Sequence, residues 1–180
     1  WEIGPFLHLA TKSNPTILEV FKAPILEGSN TPMGEELRNL FPCVWSSVGV
    51  YYAYKGYSHN QHKKMFDEKE EFAKRRFKYA VAHLRVLLQG IELLRNYDFH
   101  IQVLEKYNLY SPELLRIQEF RSWPLLFRGI KSEKVSLGEI IDIADLLKEE
   151  FKSAYEHNLN KEANYNKVNE FLLDIRQKHW

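Results

Sequence analysis

Two cations, Lys78 and Arg85, are the residues whose types and spacing point most directly to chemistry. They lie seven positions apart in the stretch FAKRRFKYAVAHLRVLLQGIELLRNY, residues 72–97. Seven residues are close to two turns of an α-helix, so both cations should lie on the same side of a helix. Cations stacked in this way can hold the oxygens of a triphosphate. The spacing therefore predicts a binding place for an anionic ligand.

The stretch that carries these cations is predicted to be one long amphipathic helix. Its apolar residues recur on one broad side, which should meet the core: Phe77, Ala80, Val81, Leu84, Leu87, Leu88, Ile91 and Leu94. A second side carries the polar residues Lys74, Lys78, Arg85, Gln89 and Glu92. His83 lies well round the helix from that line, near the edge of the apolar side. The alternative interpretation is a solvated charged face with a border histidine.

Length and composition predict a globular protein without a general affinity for nucleic acid. The chain has 180 residues, 44% apolar and 27% charged, and its net charge is +1. Such a balance gives no overall attraction to polyanions or anionic membranes. The single cysteine, Cys43, excludes an internal disulfide and favours a reducing compartment. No apolar run is long enough for a membrane span and no signal peptide is recognisable, so we expect a cytoplasmic protein.

Helix-start signals recur along the chain and predict an all-α fold. Each combines a capping side chain with a first-turn proline or a capping box: Asn14-Pro15, Thr31-Pro32 and Ser136-Leu137-Gly138-Glu139. The helix opened by the capping box should run to about His157. Further helices are predicted in 1–12, after Ser111 and ending before Pro124, and around 168–175. Regular strand alternation is absent from the sequence.

We predict one irregular multi-helix bundle over residues 1–180, built around the helix near 72–97. A helix from about Leu40, broken near Asp67, should pack antiparallel to this central helix. The charged run 62–72 is a candidate mobile connector. Because the sequence begins inside a helix-like pattern, we expect the chain to be the C-terminal part of a longer protein.

The usual catalytic motifs are missing from this sequence. It has no Asp-x-Asp pair, no Gly-x-Ser-x-Gly and no phosphate-binding GKS/T loop. His59 and His62 have a spacing compatible with metal binding on a helix, yet no third ligand is apparent, so surface histidines are favoured. We therefore predict no catalytic residue and no metal ligand in this chain.

A weaker alternative is a ribonuclease. Arg76 and His83 have six residues between them, which loosely resembles the Arg-x(4-6)-His pattern of HEPN-type ribonucleases. In that chemistry a histidine acts as general base towards a 2'-hydroxyl, while an arginine stabilises the charge on phosphorus.

Six segments in one order resemble the C-terminal helical portion of predicted nucleotidyltransferases of the DNA polymerase beta superfamily, found in bacteria and phages. They are WEIGPFLHLATKSNPTILEVFKAP, TPMGEEL, GYSHNQHKK, KYAVAHLRVLLQGIELL, LLFRGIKSEKVSLGEI and NYNKVNEFLLDI. The resemblance implies an upstream catalytic domain with a Gly-Ser turn, an Asp-x-Asp pair and a third carboxylate. Mg²⁺ is then expected only with that domain, and this chain alone should be inactive.

The resemblance also implies which residues close over a nucleotide or acceptor held by the upstream domain. The matching positions are Asn14, Glu19, Tyr57, Gln61, Lys78, His83 and Arg85. Tyr57 can stack on a base, and Gln61 can hydrogen-bond to it. The expected partner is the upstream domain, and no membrane is expected. The resemblance is compatible with a nucleoside triphosphate and with a nucleic-acid acceptor, but the net charge does not support the latter, and the acceptor stays open between RNA, DNA, a protein hydroxyl and a small molecule. The competing hypothesis is a stand-alone helical module that binds a protein through aromatic surface residues.

Overall fold

Nine α-helices and one short 3-10 turn form the secondary structure of the described residues, 2–24, 31–101, 122–158 and 161–179, in a computed structural model. The helices are α1 Ile3–Thr11, α2 Pro15–Lys22, α3 Pro32–Asn39, α4 Ser47–Phe66, α5 Glu70–Ala73, α6 Arg76–Asn96, α7 Trp123–Lys131, α8 Leu137–Glu156 and α9 Tyr165–His179. The described part of the chain is thus all helical, which confirms the predicted fold class. Within these ranges, no helix combines the length and the apolar character needed to cross a bilayer.

Helix α6 is the element on which the two 20-residue helices, α4 and α8, pack. Most of its apolar side is buried, with Leu84, Leu88 and Ile91 at 0% exposure, whereas Phe77 and Val81 near its start are half-buried. Helix α4 runs antiparallel to it, because the earlier α4 residue Tyr54 lies beside Gly90 and the later Ser58 beside His83. The prediction of a long central helix is confirmed, although α6 begins four residues later than expected because residues 70–73 form the separate helix α5.

The charged run 62–72 is divided between two helices. Residues 62–66 continue α4, whose C-cap Asp67 leaves the helical conformation at ψ 125°, and residues 70–73 form α5. The non-helical connection is therefore shorter than predicted, while its mobility stays a prediction. Helix α4 begins at Ser47 rather than near Leu40, because a 3-10 turn precedes it and Ser46 caps it.

The predicted helix starts are confirmed by their hydrogen bonds. Asn14 Oδ1 accepts from the Ile17 N–H at 3.2 Å, which satisfies one of the free donors of α2. At the start of α8 both halves of the capping box form: Ser136 Oγ accepts from the Glu139 N–H, and the Glu139 carboxylate accepts from the Ser136 N–H. These contacts are local, so the sequence alone could specify them.

One helix was not predicted from the sequence. Helix α7 begins at Trp123, with Pro124 in its first turn. Proline is well accepted there because the first N–H groups of a helix have no partner within it. The helix predicted after Ser111 lies outside the described residues. Helix α9 confirms the predicted terminal helix and buries Val168, Phe171 and Ile175.

Gly90 is the position in α6 where neighbouring rings come closest. A Cβ atom there would lie 2.6 Å from Phe151 Cε2 and 2.9 Å from Tyr54 Cδ1. Alanine normally stabilises a helix by about 1 kcal/mol relative to glycine, but overpacking costs about 1–3 kcal/mol. Because two rings from two helices would have to shift, we expect Gly90→Ala to lower the free energy of unfolding, measured in urea, by about 1–2 kcal/mol.

Gly56 in α4 provides the matched control. It is exposed, and a Cβ atom there meets nothing within 4 Å. Gly56→Ala should therefore raise the free energy of unfolding by up to about 1 kcal/mol. If both substitutions raise the free energy of unfolding equally, the rings of Phe151 and Tyr54 do not oppose a methyl group at position 90.

Candidate functional site

The two cations predicted to act together have different environments. Lys78 is exposed in the first turn of α6. Arg85 forms an ion pair with Glu19 of α2, with Nη2 3.2 Å from Oε1. The carboxylate compensates the charge of Arg85, which is therefore not presented to a ligand in the same way as Lys78.

Glu19 also binds Gln89, one turn after Arg85. Gln89 Nε2 donates to Glu19 Oε1 at 3.1 Å, and Gln89 is only 1% exposed. Burial, with a smaller contribution from the negative charge of Glu19, raises the pKa of Tyr54 nearby. The polar residues Arg85 and Gln89 of α6 are therefore part of an internal hydrogen-bond network and not of a solvated charged face. Helix α2 covers them, and its Glu19 carboxylate accepts the hydrogen bond that the buried Gln89 amide requires.

Glu19, Tyr57 and Arg85 do come together, in a groove between α2, α4 and α6. Its volume is about 10 Å³, roughly the space required by one water molecule. A nucleotide does not fit between these side chains as they stand. Their predicted contact with a nucleotide stays a prediction, and it requires the Arg85 ion pair to open.

Asn14 and Gln61, which were also predicted to contact the ligand, have side chains that are already engaged or buried within the fold. The side chain of Asn14 is engaged as the cap of α2, and Gln61 is 7% exposed within α4. A capping amide already has its hydrogen bond, and a buried glutamine offers little surface to a base.

His83 is fully buried rather than at the edge of the apolar side. Its Nδ1 lies 2.9 Å from the carbonyl oxygen of Ser58. Nδ1 is also 2.9 Å from the Ser58 hydroxyl oxygen. Because a carbonyl oxygen only accepts, a proton on Nδ1 would satisfy the carbonyl contact, and Nε2 would then be the acceptor. Nε2 is buried and has no hydrogen-bond partner among the described residues. Burial, assisted by the positive charge of Lys148, lowers the pKa of His83 to about 4.

This burial argues against the ribonuclease alternative. A general base must reach the hydroxyl proton that it abstracts, and His83 has 0% exposure beneath α4. Arg76 is likewise partly enclosed, with a buried Nε atom. The burial of His83 and of Arg76 Nε therefore favours a packing role for these two side chains over a catalytic one.

A larger cleft lies between α4 and α8, on the side of α6 where His83 is buried. We call it the α4–α8 cleft. It is lined by Tyr51, Lys55, Ser58, His59, His62, Leu87, Lys148, Glu149, Phe151 and Lys152, and its volume is about 450 Å³. Lysines from both helices therefore border a space that is large enough for a small ligand. Aromatic and aliphatic side chains form its remaining wall.

The charges around this cleft are mixed but locally positive. Lys148 lies 2.7 Å from Asp145, and Lys152 lies 3.9 Å from Glu156. Both pairs are exposed, so solvent screens them and the lysines can exchange partners at little cost. Burial, then the positive charge of Lys148, lowers the pKa of His62. The cleft thus offers cations and uncharged imidazole nitrogen to an anionic ligand.

Sequence reasoning missed this cleft, although a signal was present. Lys55, His59 and His62 are spaced by four and three residues, and Lys148 and Lys152 by four, so each group lies on one face of its helix. What the spacing does not reveal is that α4 and α8 bring the two faces together.

The described residues do not offer a divalent-metal site. No group of three or more histidine, cysteine, aspartate or glutamate side chains could hold a metal ion within these ranges. The resemblance implies Mg²⁺ only together with the upstream domain, and the described residues by themselves do not supply the set of oxygen ligands that Mg²⁺ requires.

Comparison with known proteins identifies the family of the chain. No curated protein and no solved structure is significantly similar to it. The RlaP family, described as "RNA repair pathway DNA polymerase beta family", matches residues 1–174. This match agrees with the resemblance to polymerase beta-like nucleotidyltransferases. Because it covers nearly the whole sequence, the chain belongs to the RlaP family of RNA repair pathway, DNA polymerase beta-like proteins.

Proposed function

We propose that this chain is the helical, substrate-side region of a nucleotidyltransferase-like protein that acts on RNA. The reaction would transfer a nucleotidyl group from a nucleoside triphosphate to an RNA acceptor. Family membership supports the reaction class. The observation that carries the role of this chain is the α4–α8 cleft, which places Lys55, Lys148 and Lys152 beside an apolar wall.

The cleft has the two surfaces that a nucleotide requires. The lysines supply charge-assisted hydrogen bonds to phosphate oxygens, while Leu87 and Phe151 supply an apolar wall for a base. Tyr51 stacks on Tyr155 with ring centroids 4.3 Å apart. This stack fixes the aromatic side of the cleft, which lowers the entropy lost when a ligand binds.

The transfer of the nucleotidyl group would not be catalysed by residues of this chain. An upstream domain with the acidic residues that hold Mg²⁺ would carry it, since the present sequence has no Asp-x-Asp pair. The Arg85–Glu19 ion pair would then act as a positioning contact that holds α2 against α6. Lys78 is exposed and outside the lining of the α4–α8 cleft, so it would be available to a phosphate of the RNA acceptor and not to the nucleoside triphosphate.

Direct binding tests the proposal. The purified chain is titrated with ATP, with inorganic triphosphate and with adenosine, without magnesium, by calorimetry and thermal unfolding. ATP is expected to bind and to raise the melting temperature, because a ligand that binds only the folded state stabilises it. Triphosphate should bind more weakly and adenosine weakest. Absence of ATP binding would overturn the proposal in favour of a helical protein-interaction module.

A further inference from the structure

The corner formed by the end of α4, α5 and the start of α6 concentrates positive charge. Residues 63–78 contain seven of the 25 basic residues and four of the 24 acidic ones, which leaves the remainder of the chain two charges negative. We call this segment with Tyr79 the basic corner. Lys63, Lys64, Lys74, Arg75 and Lys78 are all exposed there. The near-neutral charge of the chain therefore conceals a local cationic surface.

A concavity of about 480 Å³ lies within the basic corner. It is lined by Glu70, Glu71, Phe72, Lys74, Arg75 and Tyr79. The rings of Phe72 and Tyr79 are 5.9 Å apart, and Lys64 Nζ lies 5.7 Å from the centre of the Tyr79 ring. Glu70 is paired with Lys74 at 2.5 Å. Two cations, two carboxylates and two half-buried rings thus line one hollow, and the excess of positive charge comes from the lysines and arginines around it.

The basic corner and the α4–α8 cleft adjoin at the C-terminal end of α4. His62 lines the cleft, and its ring centroid is 5.0 Å from that of Phe66. Phe66 ends α4 and is 43% exposed. An exposed ring therefore lies beside a residue of the cleft, within the segment that forms the basic corner.

The first turn of α6 strengthens the case for an anionic partner. It contains Arg76 and Lys78 and no acidic residue. The N-terminus of a helix carries partial positive charge, which is repelled by cationic side chains and attracts anions. A phosphate bound beside Arg75 and Lys78 would compensate this local repulsion.

We propose that the basic corner is a binding surface for single-stranded RNA, next to the α4–α8 cleft at the end of α4. Phosphates would contact Lys64, Arg75 and Lys78, while unpaired bases would stack on Phe66, Phe72 and Tyr79. Stacking of this kind requires bases outside a duplex. The inference rests on the proposed function, in which the acceptor is RNA, and it names the surface that holds the acceptor strand.

Fluorescence anisotropy with a labelled 12-nucleotide single-stranded RNA tests this proposal. The Arg75→Ala, Lys78→Ala double variant should bind the RNA about 10-fold more weakly. Loss of two phosphate contacts should also reduce the steepness of the salt dependence, by about 1.4 in the slope of log affinity against log salt. Phe66→Ala should weaken RNA binding about 10-fold through lost stacking. ATP binding should be unchanged in both.

The control replaces two other exposed lysines, Lys131 and Lys134, with alanine and should bind the RNA as the unmodified chain does. The proposal is overturned if the Arg75 and Lys78 variant retains its RNA affinity and salt slope. Competition by polyglutamate as effective as that by unlabelled RNA would also overturn it, since the surface would then suit an acidic protein. Failure of ATP binding in the unmodified chain would instead reject the proposed function.

Discussion

A chain carrying both Lys148→Ala and Lys152→Ala is expected to bind ATP about 10- to 100-fold more weakly than the unmodified chain. Both lysines lie one turn apart on α8 and line the α4–α8 cleft. A hydrogen bond to a charged group contributes about 1.5–3 kcal/mol, and exposure of these side chains reduces that value. Calorimetric titration of the two proteins with ATP measures the difference.

The matched control replaces Lys12 and Lys167, which are exposed and outside the lining of the cleft. This variant removes the same net charge, so it separates direct contact from general electrostatic attraction. Equal weakening in both double variants would contradict the assignment of the cleft. Lys148→Arg with Lys152→Arg should retain most of the affinity, because the positive charges are kept.

Lowering the pH from 7 to 4 is expected to cost the folded protein about 3 kcal/mol through His83. The pKa of His83 is lowered from its ordinary value of 6.5 to about 4, mainly by burial and next by Lys148. Between these two values the unfolded chain takes up a proton that the folded chain does not. Stability is therefore fully present above pH 6.5 and is lost as the pH falls towards 4.

Urea unfolding at several pH values checks this expectation. His83→Gln removes the titrating ring, so the variant should lose the part of the pH dependence that His83 contributes, even if its stability at pH 7 is lower. The contribution of His62, whose pKa is also lowered by burial, should remain. The charged or titratable groups around the ring are His62, Lys148 and Asp145. His8→Gln, at an exposed position in α1, should keep the full pH dependence. If the free energy of unfolding changes with pH equally steeply in His83→Gln and in the unmodified chain, His83 is not the source of the pH dependence.

The parts of the fold that follow from short-range rules were predictable. The caps at Asn14, Thr31 and Ser136 each use a side chain within three residues of the N–H group it binds. The apolar repeat in residues 76–96 likewise identified the central helix, because apolar residues that recur with the helical period form one side that must be buried. The family resemblance was recognisable for a related reason, since the order of segments along a chain needs no coordinates.

The sequence by itself thus determined the all-helical class, the capped starts of α2, α3 and α8, the central helix and the family, whereas the tertiary structure decided which polar residues meet. Helical period tells which side chains share a face, but not which helix covers that face. For this reason Arg85 was predicted as a ligand contact and is paired with Glu19, 66 residues earlier. The α4–α8 cleft exists only because two faces about 90 residues apart in the chain come together on α6, and no local pattern specifies that pairing.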